Sequence, residues 1–82
     1  MSFHFDYTQR VRALGALIRK EREAKCLSLD ELAVRCGVTR LTILMVEQGR
    51  ANAKITTVLT ICDALGLGLT IAKKESDDEG CL

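Results

Sequence analysis

An all-α domain of four or five short helices, ending in one short strand, is the fold class this 82-residue sequence predicts. Three observations carry that reading. The first is a pair of helical patterns on either side of a single glycine. Leu29, Leu32, Ala33 and Cys36 precede Gly37, and Val38, Ile43 and Val46 follow it at helix spacing. The second is a start signal for each helix. Ser28 with Glu31 three residues on is a capping box, and the Thr39 hydroxyl can accept an orphan backbone N–H. The third is a change of period near the end, where Leu67, Leu69 and Ile71 alternate with Gly68, Thr70 and Ala72. Two helices joined by about three residues around a glycine make a helix-turn-helix layout. A plain helical hairpin in another bundle is the alternative. The ordered series of small residue, glycine and two apolar positions favours the former.

In chain order, residues 1–8 read as an irregular N-terminal arm. A first helix is expected from Thr8, as N-cap, to about Lys25, with Val11, Leu14, Leu17, Ile18 and Ala24 facing inward. Arg10, Arg12, Arg19, Lys20, Glu21, Arg22 and Glu23 fill its other sides as a solvated face, with Glu21 and Lys25 able to pair at i,i+4. Cys26 and Leu27 link to the Ser28 cap. Ala33 is small because the second helix crosses close to it. Gly37 stops the first helix of the pair where a positive φ costs glycine nothing. Leu32, Cys36, Val38, Ile43 and Val46 form the apolar floor. After the loop at 50–54, a helix from Lys54 to Leu65 turns Ile55, Val58, Leu59, Ile61, Cys62 and Leu65 inward and stops at Gly66. Thr56, Thr57 and Thr60 are poor helix formers, so packing must hold it.

The helix-turn-helix unit thus spans 9–66, and a strand at 67–72 follows. One strand needs a partner edge. The expected partner is the same strand of a second copy, through Leu67, Leu69 and Ile71; the alternative is a coil packed on the helices. Residues 73–82, KKESDDEGCL, read as a disordered acidic tail.

The totals bound the function. There is no proline, and the aromatics are Phe3, Phe5 and Tyr7, so the core is aliphatic. No apolar run is long enough to span a membrane, and MSFHFDYT lacks the pattern of a secretory signal. Net charge is +1, but Glu75, Asp77, Asp78 and Glu79 hold four of the 11 acids. Without them 12 basic residues face seven acidic ones, a body suited to a polyanion or simply kept soluble. Cys26, Cys36, Cys62 and Cys81 form no metal-ligand spacing, and His4 has no partner, so neither metal nor cofactor is expected. Cys36 and Cys62 fall on apolar positions as small core residues, and a reducing, cytoplasmic setting is expected. No acid/base pair, phosphate loop or activated nucleophile is present, so no enzyme is expected.

The stretches LGALIRKEREAKCLSLDELA, CGVTRLTI, VEQGRANAKI and ICDALGLGL resemble the Cro/repressor-type (XRE) helix-turn-helix family, in order from Leu14 to Leu67. That resemblance implies a small lambda-repressor-like bundle. The ending ITTVLTICDALGLGLTIAKK looks most like the HipB-type antitoxins, which implies an autorepressor dimer closed by a C-terminal strand and a HipA-type kinase as possible partner. The sequence departs from the family pattern at Cys26, where a turn glycine is common, and at Ala53, where a proline is common. Leu29, Leu41, Leu44 and Met45 stand where relatives carry Gln, Ser or Arg.

In such a layout the helix from about Arg40 to Gln48 enters the major groove of double-stranded DNA. Arg40, Leu41, Leu44 and Met45 are the expected base-reading residues, with Arg40 able to contact guanine bidentately. Ser28, Thr39, Thr42, Arg50, Asn52 and Lys54 are expected on phosphates, and Arg35 either joins them or faces water. Three accounts of the apolar face remain open. It contacts thymine methyls, it packs on a protein partner, or the helix is rotated so that part of it is core. Two functions follow: a dimeric repressor of a palindromic operator, or a protein-interaction module on the same scaffold using Leu41, Leu44 and Met45.

Overall fold

The computed structural model describes residues 7–50 and 52–73. Four helices follow one another: α1 (Tyr7–Ala24), α2 (Leu29–Cys36), α3 (Arg40–Glu47) and α4 (Ile55–Ala64). α1 begins one residue before Thr8, so Thr8 is not its cap. The arm at 1–6 and the acidic tail at 74–82 lie outside the described residues.

The paired helices form for the reasons their sequence gives. Ser28 Oγ accepts from Glu31 N at 3.0 Å, and Glu31 Oε1 accepts from Ser28 N at 2.7 Å, closing the capping box. Those hydrogen bonds from Ser28, first through its backbone N–H, hold the Glu31 carboxyl below its ordinary pKa. The stabilisation is therefore present above the ordinary carboxylate range and fades as pH falls through the lowered value. Gly37 terminates α2 in the left-handed region at φ 71°. Thr39 Oγ1 then caps α3 by accepting from Thr42 N at 3.2 Å.

The core is aliphatic. Ile18, Leu32, Ile43, Ile61 and Leu65 are fully buried, joined by Ala33, Val46 and Cys62. Burial raises the thiol pKa of Cys36 and of Cys62. At neutral pH both are protonated apolar groups rather than nucleophiles. Several positions expected to face inward do not. Leu17 is 60% exposed, Ile55 63% and Leu59 41%, and Ala24 is also exposed. The reason is geometric. α1 offers its inward stripe through half-buried Val11 and Leu14, Gly15 and buried Ile18. α4 offers its stripe through Val58, Ile61, Cys62 and Leu65. A single 100°-wide face cannot also hold the flanking apolar positions.

The largest correction concerns Arg22, expected on a solvated face. It is buried, and so is Glu47 at the end of α3. Arg22 Nε donates to Glu47 Oε2 at 2.6 Å and Nη2 to Oε1 at 3.1 Å, while Nη1 donates to the Leu27 carbonyl at 2.8 Å. The fork satisfies both charges and ties α1 to α3 and to the α1–α2 link. The Glu47 hydrogen bond is the main influence raising the Arg22 pKa, against burial, which lowers it. By contrast Lys25 and Glu21 do pair on the surface, at 2.7 Å.

Cys26, in the link between α1 and α2, is the sole non-glycine residue with positive φ among those described, at 57°. A Cβ in this region costs about 1–2 kcal/mol. Cys26→Gly is therefore expected to raise stability by about 0.5–1 kcal/mol, after allowing for the greater freedom of glycine in the unfolded chain. Urea denaturation checks this as a higher midpoint at unchanged slope.

The last expected element differs. Among the described residues no strand is assigned, and 67–73 continues from Gly66 (φ 73°) in irregular conformation. Leu67 packs on the core, whereas Leu69 is 45% and Ile71 97% exposed. A strand within one chain would need an edge to pair with, and the four helices supply none.

Candidate nucleic-acid interface

α3 is held by its inner face. Ile43, Val46 and Glu47 are buried, and Ala33 of α2, 4% exposed, lies in the crossing as its size requires. Two glycines let α1 meet the end of α3. A Cβ on Gly15 would fall on the Val46 carbonyl oxygen and lie 2.5 Å from that of Glu47. A Cβ on Gly49 (φ 70°) would lie 2.8 Å from Arg12 Cα. With the Arg22–Glu47 fork, these close approaches fix the orientation of α3. Neither Gly15 nor the ion pair was singled out from the sequence. Gly15 inside an otherwise helical pattern is the kind of signal that marks a packing requirement.

The outward side of α3 presents Arg40, Leu41 and Gln48 as exposed residues, with Thr42, Leu44 and Met45 half-buried. Leu41 is 60% exposed. Leu41 is thus the one apolar residue of this face that stands mainly in solvent. Leu44 shares a cavity of about 250 Å³ with Leu29, Arg19 and the Arg22–Glu47 pair. Arg40 Nε lies 3.5 Å from Asp30 Oδ1, and both side chains are largely exposed. The Thr39 and Thr42 hydroxyls are 2.9 Å apart.

The expected phosphate residues lie before, within and after α3 in the chain. Ser28, Thr39, Arg50, Asn52 and Lys54 are exposed and Thr42 is half-buried. Ser28 is compromised as an anion ligand, since its N–H is taken by the Glu31 carboxylate, leaving its hydroxyl proton. Arg50 Nη1 lies 3.4 Å from Gln48 Oε1. Lys54 is the N-cap of α4 and makes no side-chain capping bond. Arg35 faces solvent.

Four helices with a glycine-turned central pair and a solvent-facing second helix define a helix-turn-helix domain. Residues 13–71 match the helix-turn-helix domain family, and the chain belongs to that family. An uncharacterized HTH-type transcriptional regulator of Methanothermobacter thermautotrophicus is 44% identical over 53 residues, 65% of this chain and 77% of that protein. The HTH-type transcriptional regulator y4mF of Sinorhizobium fredii is 38% identical over 58 residues, 71% of this chain and 76% of that protein. Among solved structures, the restriction-modification controller protein C.AhdI from Aeromonas hydrophila superposes with a TM-score of 0.69 at 30% identity, covering 73% of this chain and 91% of that one. The clp gene regulator ClgR from C. glutamicum superposes at 0.67 with 33% identity, covering 71% and 74%. The fold is the all-α, lambda-repressor-like bundle, and the family is one of regulators rather than enzymes. No helix among the described residues is long and apolar enough to cross a membrane.

Proposed function

We propose that this chain is a dimeric, sequence-specific DNA-binding repressor that reads the major groove with α3 and controls its own transcription. One observation carries the reading: a short helix capped by Thr39 turns Arg40 and Leu41 to solvent while its opposite side is locked into the core. In this reading Arg40, Leu41, Leu44 and Met45 face base edges. Thr39, Thr42, Arg50, Asn52 and Lys54 hold phosphates, and Ser28 adds only its hydroxyl proton. The names of C.AhdI, a controller protein, and ClgR, a gene regulator, support regulation as the role.

Dimerisation is supported by apolar surface left uncovered at the C-terminal side. Leu69 and Ile71 are exposed, and a groove of about 280 Å³ between α1 and residues 67–69 is lined by Leu14, Leu17, Leu67 and Leu69. Pairing of 67–72 with its copy would supply the missing strand edge. The unit boundaries at 9–66, 67–72 and 73–82 belong to the same reading. Action as an antitoxin against a HipA-type kinase is a narrower form of it. That form rests on the sequence of the α4-to-C-terminus stretch alone, and a kinase-like gene beside this one is what it requires.

The test is a titration of the DNA upstream of the gene at several salt concentrations. With about 6–10 phosphates neutralised by the dimer, affinity is expected to fall about 10³–10⁵-fold between 50 and 200 mM salt. Footprints should fall in two half-sites about 34 Å apart. Binding no tighter than to random duplex at every salt would defeat the proposal.

A further inference from the structure

We propose that Leu41 and Met45 read the C5 methyl groups of thymine beside a guanine taken by Arg40. The inference rests on α3 being the groove helix and goes further by assigning the base chemistry of the half-site.

Leu41 is the one large apolar side chain of α3 that stands mainly in solvent, 60% exposed. It is the second residue of the helix, and the core, built from Ile43 and Val46 on the opposite side, makes no use of it. Met45 follows one turn later on the same stripe, half-buried. Neither side chain donates or accepts a useful hydrogen bond. Neither can therefore score the polar edges of adenine, guanine or cytosine. Thymine alone among the four bases carries an apolar group into the major groove, so an apolar side chain there selects it.

The surroundings favour a nucleic acid over a protein as the occupant. Leu41, with half-buried Leu44 and Met45 behind it, stands among polar groups that suit a polyanion. Arg40 and the Thr39 and Thr42 hydroxyls lie on one side, and Gln48 and Arg50 at the other end. Of the apolar side chains of α3 only Leu41 stands mainly exposed, with Leu44 and Met45 half-buried, a single exposed residue rather than a contiguous apolar patch. Asp30 engages Arg40 at Nε, and the two terminal nitrogens remain to fork onto guanine O6 and N7. The half-site is thus expected to place thymine next to guanine.

The experiment starts from a random-sequence duplex library selected by the full-length protein. In the enriched duplex each thymine is replaced singly by deoxyuridine, which removes only the methyl. One or two positions per half-site are expected to lose about 4-fold in affinity, the value of one buried methyl, and the rest to change less than 2-fold. Leu41→Ala, at an exposed site that leaves the helical circular dichroism intact, should abolish the sensitivity at one of those positions. Arg40→Ala should leave it in place while relaxing selection at guanine. An enriched duplex indifferent to every uracil would overturn the methyl assignment, leave DNA recognition standing, and turn the Leu41 stripe over to a protein partner. Sensitivity that survives in Leu41→Ala and Met45→Ala would overturn it too. A library with no enrichment would remove the repressor reading and this inference with it.

Discussion

Glu47→Ala is expected to cost about 3–5 kcal/mol of folding stability, the effect of leaving one member of a buried ion pair without its partner. Glu47 has 3% of its side chain exposed and Arg22 11%, so water cannot replace what is lost. The guanidinium would keep only the Leu27 carbonyl and a buried, uncompensated charge. In a domain of this size, where total stability is about 5–15 kcal/mol at most, the variant should be largely unfolded near physiological temperature. Arg22→Ala should be comparably damaging. Replacing both, as Arg22→Met with Glu47→Leu, should recover most of the loss, because the desolvation cost of two charges disappears along with their attraction. Urea denaturation of the parent, Arg22→Ala, Glu47→Ala and the Arg22→Ala/Glu47→Ala double variant as a double-mutant cycle measures the coupling. A Glu47→Ala loss under 1 kcal/mol would mean that the pair is solvated in solution. The Arg19–Glu23 pair, more than half exposed at both ends, provides the contrast, since a surface pair at helix spacing contributes at most about 0.5 kcal/mol.

Gly15→Ala is expected to destabilise by about 1–3 kcal/mol, although alanine is the better helix former by about 1 kcal/mol. The added methyl meets two backbone carbonyls of α3, not flexible side chains. Relief therefore requires α1 and α3 to move apart, which also lengthens the Arg22–Glu47 hydrogen bonds. For a domain of this length each kcal/mol lowers the melting temperature by roughly 4–8 °C. Gly15→Val should be worse. Ala16→Gly, one residue on at an exposed position of the same helix, should cost only the propensity difference. If Gly15→Ala melted at or above the parent temperature, the close approach of α1 to the end of α3 would be wrong.

These two sites also mark the limit of what could be read from the sequence. Local signals were legible wherever one segment decides the outcome. Ser28 and Glu31 make their box, Thr39 caps, Gly37 and Gly66 take left-handed turns, and Cys26 carries the strain expected of a residue in a glycine's place. What was not legible depends on two segments meeting. Arg22 looks like any of seven charged residues on α1 until α3 brings Glu47 to it. Apolar periodicity likewise marks a helix face but not its width, so the spacing of Leu17, Ile55 and Leu59 points inward although all three stand exposed. For the candidate interface, α3 and its Thr39 cap were legible, while the half-burial of Thr42, Leu44 and Met45 depends on the neighbouring segments. A strand at 67–72 would be a property of pairing, and the described residues of a single chain have no edge to offer it.

The anchoring of α3 at its C-terminal end leaves it little room to tilt or roll. A recognition element that cannot yield passes any misfit to the duplex. Under the repressor reading, tolerance for altered spacing or twist between the two half-sites would then be set by the torsional and bending stiffness of the base steps lying between them. Pyrimidine–purine steps at the centre would be accommodated and an A-tract there penalised, though no side chain of this protein touches either.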